Sequence, residues 1–229
     1  MSCRSNLDLF LFDDSLRLDG RLGGVLIGTD EAGRGPSAGG VFAAAVCFKE
    51  EALDGEAFGR LPLELLALND SKKLSSKKRE ELYDVIKKVS YFSVKSVDVR
   101  TIERINILQA SLLAMRLAVE EVMLQVGGGS CGGSFLTLVD GNRKIPNFQF
   151  EQKTLTKGDS KSASIAAASI LAKVERDRYM NELHFSYPHY SWAKNKGYLT
   201  KEHASAIKKH GACDLHRVSF LKNLYQSSS

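Results

Sequence analysis

Short apolar runs separated by turn residues predict the strands of this chain. Residues 25–29 (VLIGT) and 40–48 (GVFAAAVCF) are almost wholly apolar, as buried strands are, and a glycine-rich turn joins them as in a hairpin. Residues 91–99 alternate apolar and polar side chains over their middle and predict a third strand. The run FLTLVD predicts a buried strand that stops at Asp140, and the segment QFEQKTLTKGD predicts another that ends near Asp159.

Apolar residues spaced three and four apart predict the helices of the first half. The segment SSKKREELYDVIKKV is typical of a helix, with a cap candidate at Ser75 or Ser76. The longest helical pattern covers residues 101–126 as one helix, and the glycine run at 127–133 ends it with a flexible loop.

The second half of the chain is mainly helical. Residues 162–185 predict a helix whose first half consists of small side chains, which allow close packing on a sheet. Two short helices near residues 200–210 and 217–224 finish the chain. Strands followed by mixed strands and helices predict an α/β fold with a central mixed five-stranded sheet, flanked by helices and followed by C-terminal helices.

Composition restricts the class of protein without identifying it. The chain has 229 residues, 43% apolar and 26% charged, as in an ordinary soluble globular protein. Its net charge of +5 permits a nucleic-acid or other polyanionic partner but does not require one. The chain begins without the apolar run of a signal peptide, and no run of about 18 apolar residues could span a membrane. The four cysteines form no C-x-x-C pair, so we expect a reducing, cytoplasmic setting.

Four carboxylates stand at or near predicted strand ends. Asp30 and Glu31 close the first strand, Asp140 closes a later one, and Asp159 precedes the small-residue helix. In an open α/β sheet, ligands meet the protein just past the strand ends, so these carboxylates can converge. Oxygen ligands without histidine or cysteine favour Mg²⁺ or Mn²⁺, and two such ions about 4 Å apart can clamp both oxygens of a phosphoryl displacement. Each carboxylate alone would more often be a turn or cap residue, but the four together favour a metal site.

The turn GRGPSA also matches the letters G-x-G-x-x-A of a dinucleotide-binding loop, from Gly33 to Ala38. Two features count against that interpretation. Two carboxylates come directly before the glycines, and the residues after the turn predict a strand rather than a helix aimed at a pyrophosphate. Arg34, between two glycines, suits bidentate contact with a phosphate or a sugar edge.

Six ordered segments resemble successive motifs of the ribonuclease HII family: GTDEAGRGPSAGGVFAAAV, NDSKKLSSKKREEL, LVDGN, TKGDSKSASIAAASILAKVERDRYM, KGYLTKEHASAIKKHG and HRVSF. The resemblance implies a ribonuclease H-like fold, a two-metal site holding Mg²⁺ or Mn²⁺, and endonucleolytic cleavage of the RNA strand of RNA/DNA hybrids. It also implies cleavage 5′ of single ribonucleotides in duplex DNA, leaving 3′-hydroxyl and 5′-phosphate ends. The residues that match the family's catalytic, metal-binding carboxylates are Asp30, Glu31, Asp140 and Asp159.

The resemblance also assigns substrate-binding residues, namely Gly33, Arg34, Gly35, Lys73 and Tyr198. The three residues of the glycine turn match the element that senses the 2′-hydroxyl beside the scissile phosphate, which is the group that distinguishes RNA from DNA. Tyr198 matches a tyrosine at the sugar of the RNA-to-DNA junction. Two departures occur: the family's G-Y-G-T reads GYLT, with Leu199 for glycine, and its G-P-L-A-G-P reads GPSAGG.

Domain organisation follows from the same comparison of motifs. We expect an N-terminal extension at residues 1–22 and one catalytic domain at residues 23–229, including a C-terminal helical segment from about residue 186. The related ribonuclease HIII family carries an N-terminal substrate-binding domain, for which the residues before the first strand are too few. The expected partners are RNA/DNA hybrids and DNA duplexes containing ribonucleotides, with no membrane, and the expected state is a monomer.

Alternative interpretations concern both the whole chain and single residues. A non-catalytic nucleic-acid-binding protein could use Arg34 and the basic run at residues 72–79, and a dinucleotide enzyme could use the glycine turn. Glu175 and Asp177, beside two arginines, are interpreted as members of surface or packing ion pairs. Trp192 is assigned to packing rather than to base stacking.

Overall fold

The computed structural model describes residues 7–18, 24–53, 61–127 and 134–226. The strands in these residues are β1 (Val25–Ala32), β2 (Val41–Phe48), β3 (Ser90–Val97), β4 (Phe135–Asp140) and β5 (Glu151–Leu155). They form one sheet in the order β3-β2-β1-β4-β5. β2 is antiparallel to β1 and β3, whereas β4 is parallel to β1 and β5. The predicted mixed five-stranded sheet is therefore confirmed.

Helices cover both faces of the sheet and complete the chain. They are α1 (Leu7–Leu18), α2 (Glu50–Leu53), α3 (Ser76–Val89), α4 (Val99–Ile105), α5 (Ile107–Gln125), α6 (Ala163–Ser186), α7 (Trp192–Asn195), α8 (Lys201–His210) and α9 (Lys222–Gln226). Within the described ranges, none of these helices is both long and apolar enough to cross a membrane.

The two faces of β2 pack against different helices. Ala44 and Val46 point into a core that includes the small residues of α6, whereas Ala43 and Ala45 point into a core formed with α5. Contact with α6 is closest at Gly28 of β1, where an added Cβ would lie 2.4 Å from backbone atoms of that helix. The small residues predicted in this helix thus bring its backbone against the strand that carries two of the carboxylates.

The prediction of one helix over residues 101–126 is wrong. The chain breaks at Asn106, which adopts a φ of 65° and whose side chain accepts a hydrogen bond from the amide of Gln109. Asparagine tolerates the left-handed region and is a good N-cap, so it ends α4 and starts α5 in one step. The apolar periodicity continues across the break, which is why the sequence pattern did not show it.

Other boundaries differ less. Helix α1 lies inside the predicted extension and was not predicted, and β5 ends at Leu155, before the 3₁₀ turn Gly158–Ser160 that carries Asp159. The glycine run that was expected to form a loop lies, apart from Gly127, outside the described residues.

Helix α1 is fastened to α6 through a buried carboxylate. Asp13 is 3% exposed, and its Oδ2 accepts a hydrogen bond of 2.8 Å from the amide of Ser164 in the first turn of α6. Its Oδ1 has no hydrogen-bond partner among the described residues. Burial raises the pKa of Asp13 from 3.8 to about 6, although bonds from Ser162 and Ser164 oppose the shift. Ionised Asp13 therefore lowers stability at neutral pH.

Asp13→Asn is expected to stabilise the protein at high pH. Because the folded pKa of about 6 lies above 3.8, the contribution of Asp13 to stability is complete below pH 3.8 and is lost as the pH rises through 6. Two pKa units correspond to about 3 kcal/mol, so the variant should exceed the wild type by up to that amount at pH 8. Urea unfolding from pH 4 to pH 8 measures this difference.

The control for this experiment is Asp8→Asn, which changes an exposed carboxylate on the same helix. It should shift the free energy of unfolding by less than about 0.5 kcal/mol at every pH. A pH-independent difference between Asp13→Asn and the wild type would contradict the proposed cause.

Candidate active site

A cleft of about 220 Å³ at one edge of the sheet brings the four predicted carboxylates together: Asp30, Glu31, Asp140 and Asp159. Strands β1 and β4 are parallel neighbours, so the first three carboxylates emerge at the same edge. The fourth comes from the 3₁₀ turn before α6. Convergence of the carboxylates, expected from their places in the sequence, is thus observed.

Asp30 is the most buried of the four, with 6% exposure. Burial raises its pKa well above the ordinary value, and the charges of Glu31 and Asp140 raise it further. Hydrogen bonds from the Ser169 hydroxyl and the Glu31 amide act in the opposite direction. A carboxylate held among other carboxylates in this way gains stability when a cation neutralises the group.

The neighbouring carboxylates show the same pattern. Burial raises the pKa of Glu31, which the Arg34 guanidinium 3.4 Å away lowers and Asp140 raises. Burial also raises the pKa of Asp159, to which Asp70 and then Asp140 add. The cleft therefore concentrates negative charge, which is offset by the cations that also line it, namely Arg34, Lys72, Lys173 and Arg176.

Asp140 and the turn carrying Asp159 are joined directly. The amide of Gly158 donates a hydrogen bond of 2.7 Å to Oδ1 of Asp140. A Cβ at Gly158 would lie 2.6 Å from Ile165 Cδ1 and 3.1 Å from the same carboxylate oxygen, so a larger residue would displace the end of the Ile165 side chain and crowd Asp140. This contact fixes the spacing between β4 and the residue that supplies the fourth carboxylate.

The donor set fits a divalent cation of the Mg²⁺ type. It offers carboxylate oxygens without histidine or cysteine, and three of its members have raised pKa values because they repel one another or are buried. Within the described part of the chain, no three acidic, histidine or cysteine side chains stand as close as the ligands of one ion do. To hold one ion together, these side chains would have to turn towards it.

The residues between β1 and β2, here called the glycine loop (residues 33–40), form one wall of the cleft. Gly33 has a φ of +101°, and an added Cβ would lie 2.1 Å from Nε of Arg176, so this position requires glycine. A Cβ at Gly35 would lie 3.4 Å from the ring of Tyr198, whose side chain is 48% exposed. Arg34 is exposed at the rim. The predicted substrate-binding residues of the loop and Tyr198 thus face each other across a narrow gap.

The glycine loop is followed by a strand, not by a helix. Gly40 leads directly into β2, which pairs antiparallel with β1. The segment GRGPSA therefore lacks the helix N-terminus that holds a pyrophosphate in a dinucleotide site. The dinucleotide interpretation is wrong for this turn.

Two buried arginines hold the glycine loop from behind. Arg217 donates from Nε and Nη2 to the carbonyl of Gly39 and from Nη1 to that of Arg34. Arg176 donates to the carbonyls of Ala38 and Gly40. Neither forms an ion pair among the described residues.

The prediction that Glu175 and Asp177 are members of ion pairs is confirmed. Asp177 pairs with Arg79 and Lys173, and Glu175 pairs with Arg178. Their neighbour Arg176, which the sequence pattern did not single out, instead turns inward to the glycine loop.

The lysines of the basic run are placed differently from one another. Lys72 lines the carboxylate cleft together with Lys173 of α6. Lys73, which the resemblance assigns to phosphate binding, is exposed and does not line the cleft. The adjacent lysines of NDSKK could not be distinguished from the sequence, because the 3₁₀ turn Ser71–Lys73 decides which of them points inward.

Behind Tyr198, a closed hydrogen-bond network fixes two histidines in their neutral forms. His203 Nδ1 donates to the Tyr198 carbonyl at 2.9 Å, so its Nε2 accepts from Trp192 Nε1 and from His216 Nε2, each at 3.1 Å. His216 Nδ1 in turn accepts from the Cys213 amide. Burial lowers the pKa of His216 to about 4, and burial also lowers that of His203. The packing role predicted for Trp192, which is fully buried, is confirmed.

The mixed sheet, the helices on both faces and the carboxylate cleft agree with the ribonuclease H-like class that the sequence motifs resemble. The model of the family described as Ribonuclease HII matches residues 27–223. A Ribonuclease HII of Caldicellulosiruptor bescii is 46% identical over 200 residues, which make up 87% of this chain and 87% of the relative. The chain belongs to the ribonuclease HII family, whose members are endoribonucleases and hydrolases.

Solved structures agree with the fold. The ribonuclease HII in the PCNA complex from Archaeoglobus fulgidus is 25% identical, with a TM-score of 0.64 over 84% of this chain and 93% of that chain. The Bst ribonuclease HIII in complex with Mn²⁺ is 16% identical, with a TM-score of 0.66 over 90% of this chain and 70% of that chain. The ribonuclease H-like fold expected from the motifs is confirmed.

Proposed function

We propose that this protein cleaves the RNA strand of RNA/DNA hybrids and cuts 5′ of single ribonucleotides in duplex DNA, by two-metal phosphodiester hydrolysis that leaves 3′-hydroxyl and 5′-phosphate ends. The observation that carries the proposal is one cleft lined by the four carboxylates, the glycine loop and Tyr198. The first group suits phosphoryl chemistry, and the other two suit recognition of a sugar beside the phosphate that is cut.

Asp30, Glu31, Asp140 and Asp159 would hold two divalent ions, Mg²⁺ or Mn²⁺. Bound there, the ions would supply Lewis-acid stabilisation of the attacking water and of the departing 3′-oxygen. The protein's own contribution is positioning: the Glu31 amide, 2.7 Å from Oδ1, orients Asp30, and the Gly158 amide orients Asp140. These two contacts restrict Asp30 and Asp140 before an ion binds, which reduces the reorganisation that the site needs.

Recognition of the ribonucleotide falls to the opposite wall of the cleft. We assign detection of the 2′-hydroxyl to Gly33, Arg34 and Gly35, since this hydroxyl is the group that separates RNA from DNA at one position. Tyr198 stands across the gap and would stack against the neighbouring sugar. Leu199, in place of the family's glycine, is 40% exposed beside it.

Cations around the cleft support binding of the nucleic-acid backbone. Lys72 and Lys173 line the cleft. Lys73 is exposed and lies next to Lys72 on the same 3₁₀ turn. We assign phosphate contacts to these side chains, which makes binding weaker as salt increases. We further propose that residues 23–229 form one catalytic domain that works as a cytoplasmic monomer in the removal of ribonucleotides from DNA.

The proposed function is tested with an end-labelled DNA duplex that contains one ribonucleotide, incubated with the protein and Mg²⁺ or Mn²⁺. We expect one cut on the 5′ side of the ribonucleotide, which requires the metal and is absent from an all-DNA duplex. An RNA/DNA hybrid should be cut at many positions. Tight binding of the hybrid without product under either metal would favour the non-catalytic alternative instead.

A further inference from the structure

We propose that Arg176 sets the width of the gap between the glycine loop and Tyr198, and that this width determines how well the cleft distinguishes a ribonucleotide from a deoxyribonucleotide. The inference rests on the proposed function, in which the glycine loop and Tyr198 both contact the ribonucleotide. Arg176 is a positioning residue in this proposal, because it acts through the two walls that it connects.

The guanidinium of Arg176 bridges two segments that are distant in sequence. Its Nε and Nη2 donate to the carbonyls of Gly40 and Ala38, at 3.3 Å and 3.1 Å, in the glycine loop. Its Nη1 donates at 3.0 Å to the carbonyl of Lys196, two residues before Tyr198. One rigid, planar group therefore sets the distance between the loop and the segment that carries the tyrosine.

The gap itself leaves little room for movement. The ring of Tyr198 stands 3.4 Å from the position that a Cβ of Gly35 would occupy. On the other side, Gly33 packs directly on the guanidinium, since a Cβ there would lie 2.1 Å from Nε of Arg176. A displacement of this guanidinium must therefore move the loop, and a shift of a few tenths of an ångström changes how closely the loop and the ring approach each other.

The contacts of Arg176 are specific to arginine. The side chain is 1% exposed, and no carboxylate stands within ion-pair distance of it among the described residues. Its charge is offset by carbonyl oxygens alone, and burial lowers its pKa. A lysine would keep the charge but could not reach three carbonyls in a fixed plane. Arg176→Lys therefore changes the geometry while keeping the charge.

The test measures binding without turnover, in an Asp140→Asn background that removes cleavage. Fluorescence anisotropy gives the dissociation constants for a duplex with one ribonucleotide and for an all-DNA duplex, and their ratio is the discrimination. Loss of two charge-assisted hydrogen bonds is expected to lower this ratio about tenfold in Arg176→Lys, because the ribonucleotide duplex binds more weakly. The affinity for the all-DNA duplex should stay within about twofold.

The matched control is Arg178→Lys, the same change two residues further along α6. Arg178 is half-buried and pairs with Glu80 and Glu175, away from the cleft. Its replacement should leave the discrimination unchanged. Circular dichroism establishes that each variant is folded, and Arg176→Gln, which keeps an amide donor, replaces the lysine variant in the test if that variant does not fold.

A double-mutant cycle with Tyr198→Ala separates positioning from a general loss of stability. If Arg176 acts through the gap, Arg176→Lys should change the discrimination less than about twofold once the ring is absent. Additive effects of the two substitutions, or an unchanged discrimination ratio in a folded Arg176 variant, would overturn the role proposed for Arg176 but not the proposed function. A ratio near one with Arg176 intact would overturn the proposed function as well.

Discussion

Asparagine in place of Asp30 is expected to abolish cleavage while leaving the fold at least as stable as before. The substitution removes a carboxylate whose pKa is raised by burial and by two neighbouring carboxylates, so repulsion within the cleft decreases. In the proposed function Asp30 is also a metal ligand, and losing several kcal/mol of transition-state stabilisation would lower the rate by about 10³-fold or more. Cleavage of the duplex with one ribonucleotide measures the loss.

Thermal unfolding with and without Mg²⁺ distinguishes the cause of that loss. Without metal, Asp30→Asn should unfold at the wild-type temperature or above it, and the rise caused by Mg²⁺ should be smaller than in the wild type. Asp84→Asn, on the exposed side of α3, is the control and should retain full activity. Turnover retained by Asp30→Asn would refute the assignment of the four carboxylates.

Alanine in place of Gly28 is expected to destabilise the protein by more than about 3 kcal/mol, because there is no space for the added methyl group. Its Cβ would lie 2.4 Å from the backbone nitrogen of Ile165 and from the backbone carbon of Ser164. A helix backbone cannot rotate away as a side chain can, so α6 must move off β1. Because α6 carries Ser169 and Arg176, cleavage should decrease together with stability.

A glycine with open space around it provides the comparison. Gly211 has a φ of +82°, and a Cβ there would meet nothing within 4 Å, so Gly211→Ala adds only backbone strain. That strain should lower the free energy of unfolding by about 1 kcal/mol, as measured by urea denaturation. Equal losses in the two variants would contradict a collision at Gly28.

The sequence predicts those strands and helices whose limits are set by nearby residues, through apolar runs and capping side chains. β1 and β2 are apolar enough to be recognised as buried strands, and Ser75 caps α3 as its position in the sequence indicates. Asn106 escaped prediction because a single residue can break a helix without interrupting its apolar stripe. Helix α1 escaped because its apolar residues follow neither a helical nor a strand repeat clearly.

The site was predictable where chemistry depends on residue type and not where it depends on distant contacts. The carboxylates are recognisable by their position after strands. Arg176 could not be recognised, since its partners Ala38 and Gly40 lie more than a hundred residues away in sequence and offer only main-chain carbonyls. Lys72 and Lys73 are adjacent residues of the same type, so the sequence cannot show which of them lines the cleft. The 3₁₀ turn that contains both residues decides this.

Helix α6 sets the spacing of the residues that line and support the cleft. Ser169, Lys173, Arg176 and Met180 recur at intervals of four, three and four residues, which places them on one stripe. Ser169 lies by Asp30, and Lys173 lines the cleft. Further along the stripe, Arg176 packs against Gly33 and Met180 packs against Gly39. Inserting or deleting one residue within this stretch would rotate everything beyond it by about 100°. The number of residues in this segment is therefore as constrained as their identity.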